Sequence, residues 1–507
     1  MLDTIAHLGL GFVQVFQPVN LIVLVAGLIL GMLVAVLPGL TLVMGVVLAL
    51  PFTYSMGLVP AIILLTAMYV SGTYGGAFTA ILFRIPGEPL DVPLLWDGYT
   101  MARKGQPAKA LGWTLFSALG GGLIATTVMV LLSQPVAKFA LTLSSPEYFA
   151  IILFGLTSVV AMGGGSITNA VISLCLGLLI ATVGIDSTYG AERFTFGLPF
   201  LSDGIEYLLV MVGAYGIGEV FTRLEKGFKN QPIESKGDFK TELPTWREMM
   251  KVKSTFFRSS ILGIVVGIVP GAGATIASFV SYGAESQYGK RRKELGTGIA
   301  EGIVAPQTAA TSSVGGAMIP LLTMGIPGSG ATAIILGAFL LHGMQPGPQI
   351  FVTSSHIVYP IFASLFVSII GMCIMGYFAI KLLVKVLHLP EAVVSAFVVM
   401  FCFIGALAAR SNLPDLYVIT AFGILGYLFE RFKFPIAPLV LGCILGPLAE
   451  TSFVTMMVSE NNNWTVLFTR PISATVMVLS IVALVYPLVR QVGARRSENR
   501  LKAQAPS

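Results

Sequence analysis

Four proline–glycine interruptions carry the chemistry that this chain's residues can do. Pro38-Gly39 and Pro270-Gly271 each break an apolar run, and Ile85-Pro86-Gly87-Glu88 and Ile326-Pro327-Gly328-Ser329 break two more. Proline removes a backbone donor and crowds the preceding turn, while glycine reaches conformations closed to other residues. A Pro-Gly inside an apolar span therefore ends one half-helix and lets another begin. Free N–H groups at a positive dipole end can then bind an anion. The residues just after the breaks are small or hydroxylated: Leu40-Thr41, Ala272-Gly273-Ala274-Thr275 and Ser329-Gly330-Ala331-Thr332. They suit close backbone approach to a carboxylate, and unwound carbonyls and hydroxyls there can hold a Na⁺. A single Pro-Gly is more simply a packing kink; four in matching positions favour a binding site.

A polar stretch leads into the last break, with Gln307, Thr308, Thr311, Ser312 and Ser313 following Pro306. Polar side chains at membrane depth face protein or a cavity, although hydrogen bonding between helices by small residues explains such a run equally simply. Glu88, Asp91 and Glu301 are candidate carboxylates for a coupling proton, and Arg84 either counters a substrate carboxylate or snorkels. Gly163-Gly164-Gly165-Ser166 reads as a helix-contact patch. Gly283–Lys290 has the wrong spacing for a phosphate loop and is followed by Arg291 where a hydroxyl is needed. Neither HExxH nor GxSxG occurs, and His7, His342, His356 and His388 lack ligand spacing. No enzyme activity, metal site or cofactor is expected beyond a coupling ion, Na⁺ or H⁺.

The elements that position these breaks follow from composition. Of 507 residues, 55% are apolar and 11% charged, against roughly 25% charged in a soluble domain. Apolar runs recur from Leu21 almost to Arg490, so the solvent is lipid. This excludes a soluble globular enzyme, a disordered chain and an ordinary nucleic-acid binder. The predicted fold is an all-α polytopic membrane protein with about 10–12 transmembrane helices plus broken or re-entrant segments. Cys175, Cys373, Cys402 and Cys443 lie in apolar stretches without CxxC spacing and read as reduced, packed thiols. The N-terminus lacks a basic region before its apolar run, so no cleavable signal is expected.

The order of landmarks exposes a repeat. Leu30–Gly39 resembles Leu262–Gly271, and Gly75-Gly76 precedes the first Ile-Pro-Gly as Gly315-Gly316 precedes the second. Loop 53–60 is uncharged while Arg103, Lys104 and Lys109 follow the second landmark; in the other half Lys290–Lys293 is basic and 340–350 lacks Lys and Arg. The reversal predicts two inverted repeats, the pattern of a secondary carrier with its site at the repeat interface. Predicted boundaries are an N-terminal segment 1–20, a first membrane half 21–221, a cytoplasmic connector 222–258, a second half 259–490 and a basic cytoplasmic tail 491–507.

Longer motifs add a resemblance. Tyr74-Gly75-Gly76 through Ile85-Pro86-Gly87-Glu88 to Asp97-Gly98-Tyr99, then Met101–Gln106, resembles the large membrane subunit of tripartite tricarboxylate transporters. So do Val269–Ser278 and the run from Gly315-Gly316-Ala317 to His342–Pro348. The likeness covers residues 15–490. It implies a bacterial inner-membrane permease, working with a small four-helix membrane subunit and a periplasmic solute-binding protein. Such permeases import carboxylates such as citrate on an ion gradient. The family's motif positions fall here on the Pro-Gly and Ile-Pro-Gly turns with their Gly-Gly partners. Two departures stand out. Gln307, Ala310 and Thr311 occupy the places of a Glu and an Asn-Asn pair, and Arg84 replaces an Asn, followed after the turn by Leu90-Asp91-Val92-Pro93 where small residues are usual. Citrate is therefore not carried over as the substrate.

The expected function is import of a small organic anion by alternating access around the paired breaks; a passive anion pore on the same helices is the alternative. The expected site comprises Pro38, Gly39, Thr41, Gly75, Gly76, Pro86, Gly87, Glu88, Pro270, Gly271, Thr275, Gln307, Thr308, Thr311, Ser312, Gly315, Gly316, Pro327, Gly328 and Ser329. One chain's sequence leaves a homodimer open.

Overall fold

Helices account for nearly all regular structure in the computed structural model, which describes residues 2–37, 40–162, 166–186, 190–227, 241–271, 273–378, 390–410 and 412–485. Pro38, Gly39, Gly163–Gly165, residues 228–240 of the connector and the basic tail fall outside the described residues. The first half contains α1 (Leu2–Val15), α2 (Pro18–Val36), α3 (Leu42–Thr53), α4 (Leu58–Phe83), α5 (Leu94–Arg103) and α6 (Pro107–Ala140). Then come α7 (Ser145–Met162), α8 (Ile167–Ala181), an antiparallel pair of two-residue strands, β1 (Gly184–Ile185) and β2 (Glu192–Arg193), and α9 (Tyr207–Lys226). The second half runs through α10 (Trp246–Ile268), α11 (Gly273–Tyr288), α12 (Glu301–Met324), α13 (Gly330–Leu341) and α14 (Ser355–Phe378). It ends with α15 (Glu391–Arg410), α16 (Pro414–Arg431), α17 (Ile436–Ser459) and α18 (Pro471–Val485).

The chain is an all-α polytopic membrane protein. Among the described residues, six helices are long and apolar enough to cross a bilayer: α2, α4, α6, α9, α14 and α17. Two shorter apolar helices, α3 and α13, begin just after breaks. At about 1.5 Å rise per residue, the 12 residues of α3 or α13 span little more than half of a ~30 Å hydrocarbon core. The 24-residue α12 is long enough, but the hydroxyls following Pro306 make it less apolar.

α4 and α12 form the centre, and nearly every residue of both is buried. α2 packs along α4, and α10 packs along α12. The third long helix of each half crosses over: α6 lies against α12, and α14 lies against α4. Small residues make these approaches close, as is usual where no hydrophobic drive separates helix from lipid. A Cβ on Gly75 would meet the Met32 carbonyl and Ala35, and one on Gly316 would meet the Ile264 carbonyl and Gly267.

Those contacts set the register between the landmarks of the two halves. Gly87 fits between the Ala35 carbonyl and Gly76; Gly328 fits between the Gly267 carbonyl and Ala317. Gly75 therefore matches Gly316, and Gly76 matches Ala317. The two Gly-Gly pairs are offset by one residue, which accounts for their unequal spacing to the following Pro-Gly. Gly315 corresponds instead to Tyr74, and each faces the third helix of the other half, at Ala125 and Gly376 respectively.

Candidate functional site

Each half turns back on itself after its central helix. α4 ends at Arg84, and the chain then returns so that Gly87 lies on Gly76, about two turns up α4. A single 3-10 turn, Pro89–Asp91, follows before α5. In the second half α12 ends at Gly325, Gly328 packs on Ala317, and α13 starts at Gly330.

Hydrogen bonds fix both returns. The Glu88 carboxylate accepts from the amides of Leu42 and Asp91, and the Asp91 carboxylate accepts from the Glu88 amide at 2.9 Å. Glu88 thus satisfies one of the free amides in the first turn of α3. Thr41 caps the same helix, its Oγ1 accepting from the Met44 amide at 3.2 Å. In the second half the Gly271 amide donates to the Gly328 carbonyl at 3.1 Å. Ser329 caps α13 in a reciprocal box with Thr332, and its Oγ lies 3.0 Å from the Tyr69 hydroxyl on α4. The Ser278 hydroxyl donates to the Leu90 carbonyl at 2.7 Å, joining α11 to the first half's 3-10 turn.

A cavity of about 520 Å³ opens where these turns meet. Thr41, Pro89, Gly271 with Thr275, and Gly330 line it, one contribution from each of the four breaks. Three helices start at this wall: α3 just after Thr41, α11 at Gly273 and α13 at Gly330. Converging N-termini give the wall positive dipole ends and first-turn amides, a setting that suits an anion. Opposite stand Tyr215, Gly218, Glu219 and Thr222 of α9, with Glu430 and Pro435 from the α16–α17 corner. Glu219 pairs with Arg223 at 3.0 Å, and Glu430 approaches Lys226 at 3.9 Å. α9 carries a π-helical turn, Val212–Ile217, beside the cavity. Such turns recur where a helix is widened for function.

The predicted site residues divide. Thr41, Gly271 and Thr275 line the cavity, and Glu88 and Ser329 each adjoin a lining residue. Gly87, Gly328 and the buried Pro270 and Pro327 shape the turns behind it, as does the half-buried Pro86. Gly75, Gly76, Gly315 and Gly316 sit in helix contacts and do not line it. The polar run of α12 is likewise away from the lining. Gln307 donates to the Thr73 carbonyl at 3.2 Å, Thr311 Oγ1 to the Gln307 carbonyl at 3.1 Å, and Ser312 Oγ to the Gly121 carbonyl at 3.0 Å. Thr308 is buried in the same run with no partner for its hydroxyl among the described residues. Glu301 pairs with Arg291 at 3.3 Å at the first turn of α12, beside the basic loop. No group of three or more His, Cys, Asp or Glu side chains placed to hold a metal occurs among the described residues.

The wall from α9 and the α16–α17 corner was not anticipated from sequence. Its one visible sign is Gly216-Ile217-Gly218-Glu219, a carboxylate closing a small-residue run at the end of an apolar segment.

Comparison with known proteins then decides the family. A model of the tripartite tricarboxylate transporter TctA family matches residues 21–441. The chain belongs to this family. It is 35% identical over 501 residues to an uncharacterized 52.8 kDa protein of the TAR-I ttuC′ 3′ region of Agrobacterium vitis, covering 98% of this chain and 99% of that protein. A second Agrobacterium vitis protein, from the TAR-II ttuC′ 3′ region, is 35% identical over 236 residues, 46% of this chain and 98% of its own length. No solved structure matches. As a TctA-family member the chain is a multi-pass membrane subunit of a tripartite transport system for tricarboxylate-type solutes, and it works with other components.

Proposed function

We propose that this subunit imports an organic carboxylate across a bacterial inner membrane by alternating access. The solute is delivered by a periplasmic binding protein, a small four-helix subunit completes the complex, and a Na⁺ or H⁺ gradient drives uptake. The observation that carries the reading is the cavity reached by all four breaks, with three helix N-termini at its wall. An anion gains from those dipole ends, while hydroxyls of Thr41 and Thr275 offer neutral hydrogen bonds. The matched contacts of Gly87 and Gly328, together with the reversed Lys/Arg loops, support two halves of opposite orientation that rock about this point.

Reconstitution with the partner proteins tests this directly. Carboxylate uptake into proteoliposomes is measured under imposed Na⁺ and H⁺ gradients separately, for the parent and for Thr275→Trp, which fills the cavity. Uptake should follow one of the gradients and fall at least tenfold in the variant, as expected when a bulky group displaces a bound ligand. Uptake indifferent to both gradients would indicate a passive pore. Unchanged uptake by a well-folded Thr275→Trp protein would remove the cavity from the pathway.

A further inference from the structure

A second cavity, of about 530 Å³, lies at the Lys/Arg-rich end of α5. Its lining includes Arg84, Arg103 and Lys104 together with Trp96, Tyr99 and Tyr282, and no acidic residue. Neither arginine has an acidic partner among the described residues. Lys104 donates one N–H to the Thr297 carbonyl at 2.6 Å, which leaves two of its three for another acceptor. The nearby carboxylate of Asp97 is buried and saturated. It accepts from the amides of Gly296, Gly298 and Ile299 and from the Tyr282 hydroxyl, all at 2.8–3.0 Å.

The backbone at Arg84 is unusual for a residue with a side chain. Arg84 ends α4 in the left-handed region, with φ 59°. The matching position at the end of α12 is Gly325, with φ 71°. Glycine adopts this conformation freely and an arginine does not, so the first half keeps a strained side chain where the second half does without one. That side chain is put to a definite place, with its guanidinium over the Tyr99 ring at 5.6 Å.

Apolar surface continues outward from the cations. Trp96, 41% exposed, packs against Tyr282 with the rings tilted and their centroids 4.6 Å apart, and meets Phe279 edge-on at 6.1 Å. Phe279 and Val280 are themselves exposed on α11. Cations without carboxylates beside an exposed aromatic and aliphatic face match a phosphate oxyanion joined to an acyl chain.

We propose that this cavity holds the phosphate of an anionic phospholipid headgroup, with Arg84, Arg103 and Lys104 as its ligands and Trp96 and Phe279 flanking the acyl chain. The full chain is reconstituted in nanodiscs of phosphatidylglycerol or of phosphatidylcholine, and thermal protection is titrated against the fraction of anionic lipid. Inorganic phosphate is titrated separately in zwitterionic detergent. Phosphatidylglycerol should protect saturably, and Arg84→Gln with Arg103→Gln should weaken its apparent affinity about 25-fold, about fivefold per cation removed. Arg84→Gly relieves the backbone strain, so it should fold at least as well in phosphatidylcholine and still lose about fivefold. A charge-matched pair, Lys290→Gln with Lys293→Gln, should stay within about twofold of the parent. Equal protection by the two lipids, or equal loss in the charge-matched pair, would overturn the site. Protection by inorganic phosphate that the Arg84→Gln, Arg103→Gln pair abolishes would overturn the lipid as its source.

Discussion

The Tyr69 hydroxyl and Ser329 Oγ lie 3.0 Å apart, in a buried hydrogen bond between the central helix of one half and the N-cap of α13 in the other. Tyr69→Phe removes this link and leaves the Ser329–Thr332 box in place. The expected cost is about 0.5–1.5 kcal/mol, typical of one buried neutral hydrogen bond. It should appear as a modest fall in melting temperature with a larger fall in uptake rate. A variant that melts lower yet transports at the parent rate would limit the bond to a structural role.

Gly87 and Gly328 have no room for a side chain. A Cβ would sit 2.2 Å from the Ala35 carbonyl at Gly87 and 2.5 Å from the Gly267 carbonyl at Gly328, both backbone atoms that cannot swing away. Alanine at either position should cost about 1–3 kcal/mol by overpacking. The two variants should behave alike, because the contacts are equivalent. Melting curves in detergent measure this, and a tolerant Gly87→Ala beside a crippled Gly328→Ala would break the equivalence.

Asp97 straps α5 to the segment between α11 and α12 through three amides and a tyrosine hydroxyl. Asp97→Asn keeps the shape but replaces an acceptor oxygen with a donor facing those donors. A loss of about 2–4 kcal/mol is expected, from weakened charge-assisted bonds and unpaired buried N–H groups. Amide exchange should rise first at Gly296–Ile299. Unchanged exchange there would show that the strap is redundant.

Glu248 lies outside the membrane-spanning part, at the first turn of α10. The Lys109 ammonium holds its carboxyl down to about 2, aided by the Thr245 amide and hydroxyl. A carboxylate held below its unfolded value contributes stability that is full above about 4.5 and fades as pH falls toward about 2. Glu248→Gln should therefore melt lower than the parent at pH 6, by the equivalent of about 1 kcal/mol after solvent screening. The gap should narrow as pH falls below about 4.5 and close only as pH passes through about 2, and a gap independent of pH would contradict the assignment.

The fold class was legible because 12-to-26-residue apolar runs and four Pro-Gly turns are local features. The paired landmarks of the two halves were legible too, but their register was not. Gly75-Gly76 and Gly315-Gly316 look like counterparts, and only three-dimensional contact shows that Gly76 answers to Ala317. Small residues are interchangeable in the text of a helix but not in its packing. The site was half visible. Thr41, Gly271 and Thr275 follow directly from the breaks, whereas Glu219 and Glu430 come from helices outside the repeat pattern and reach the cavity through tertiary packing. The Gln307–Ser312 run shows the converse: its polarity serves contacts between helices.

The crossed arrangement of α6 on α12 and α14 on α4 also bears on how the protein is made. During synthesis α4 leaves the translocon long before α14 exists, so one of its flanks must wait beside lipid or a chaperone. Neither half encloses its own central helix. The two halves are therefore one cooperative folding unit, and a chain arrested at the connector should be cleared by quality control rather than persist as a stable half-transporter.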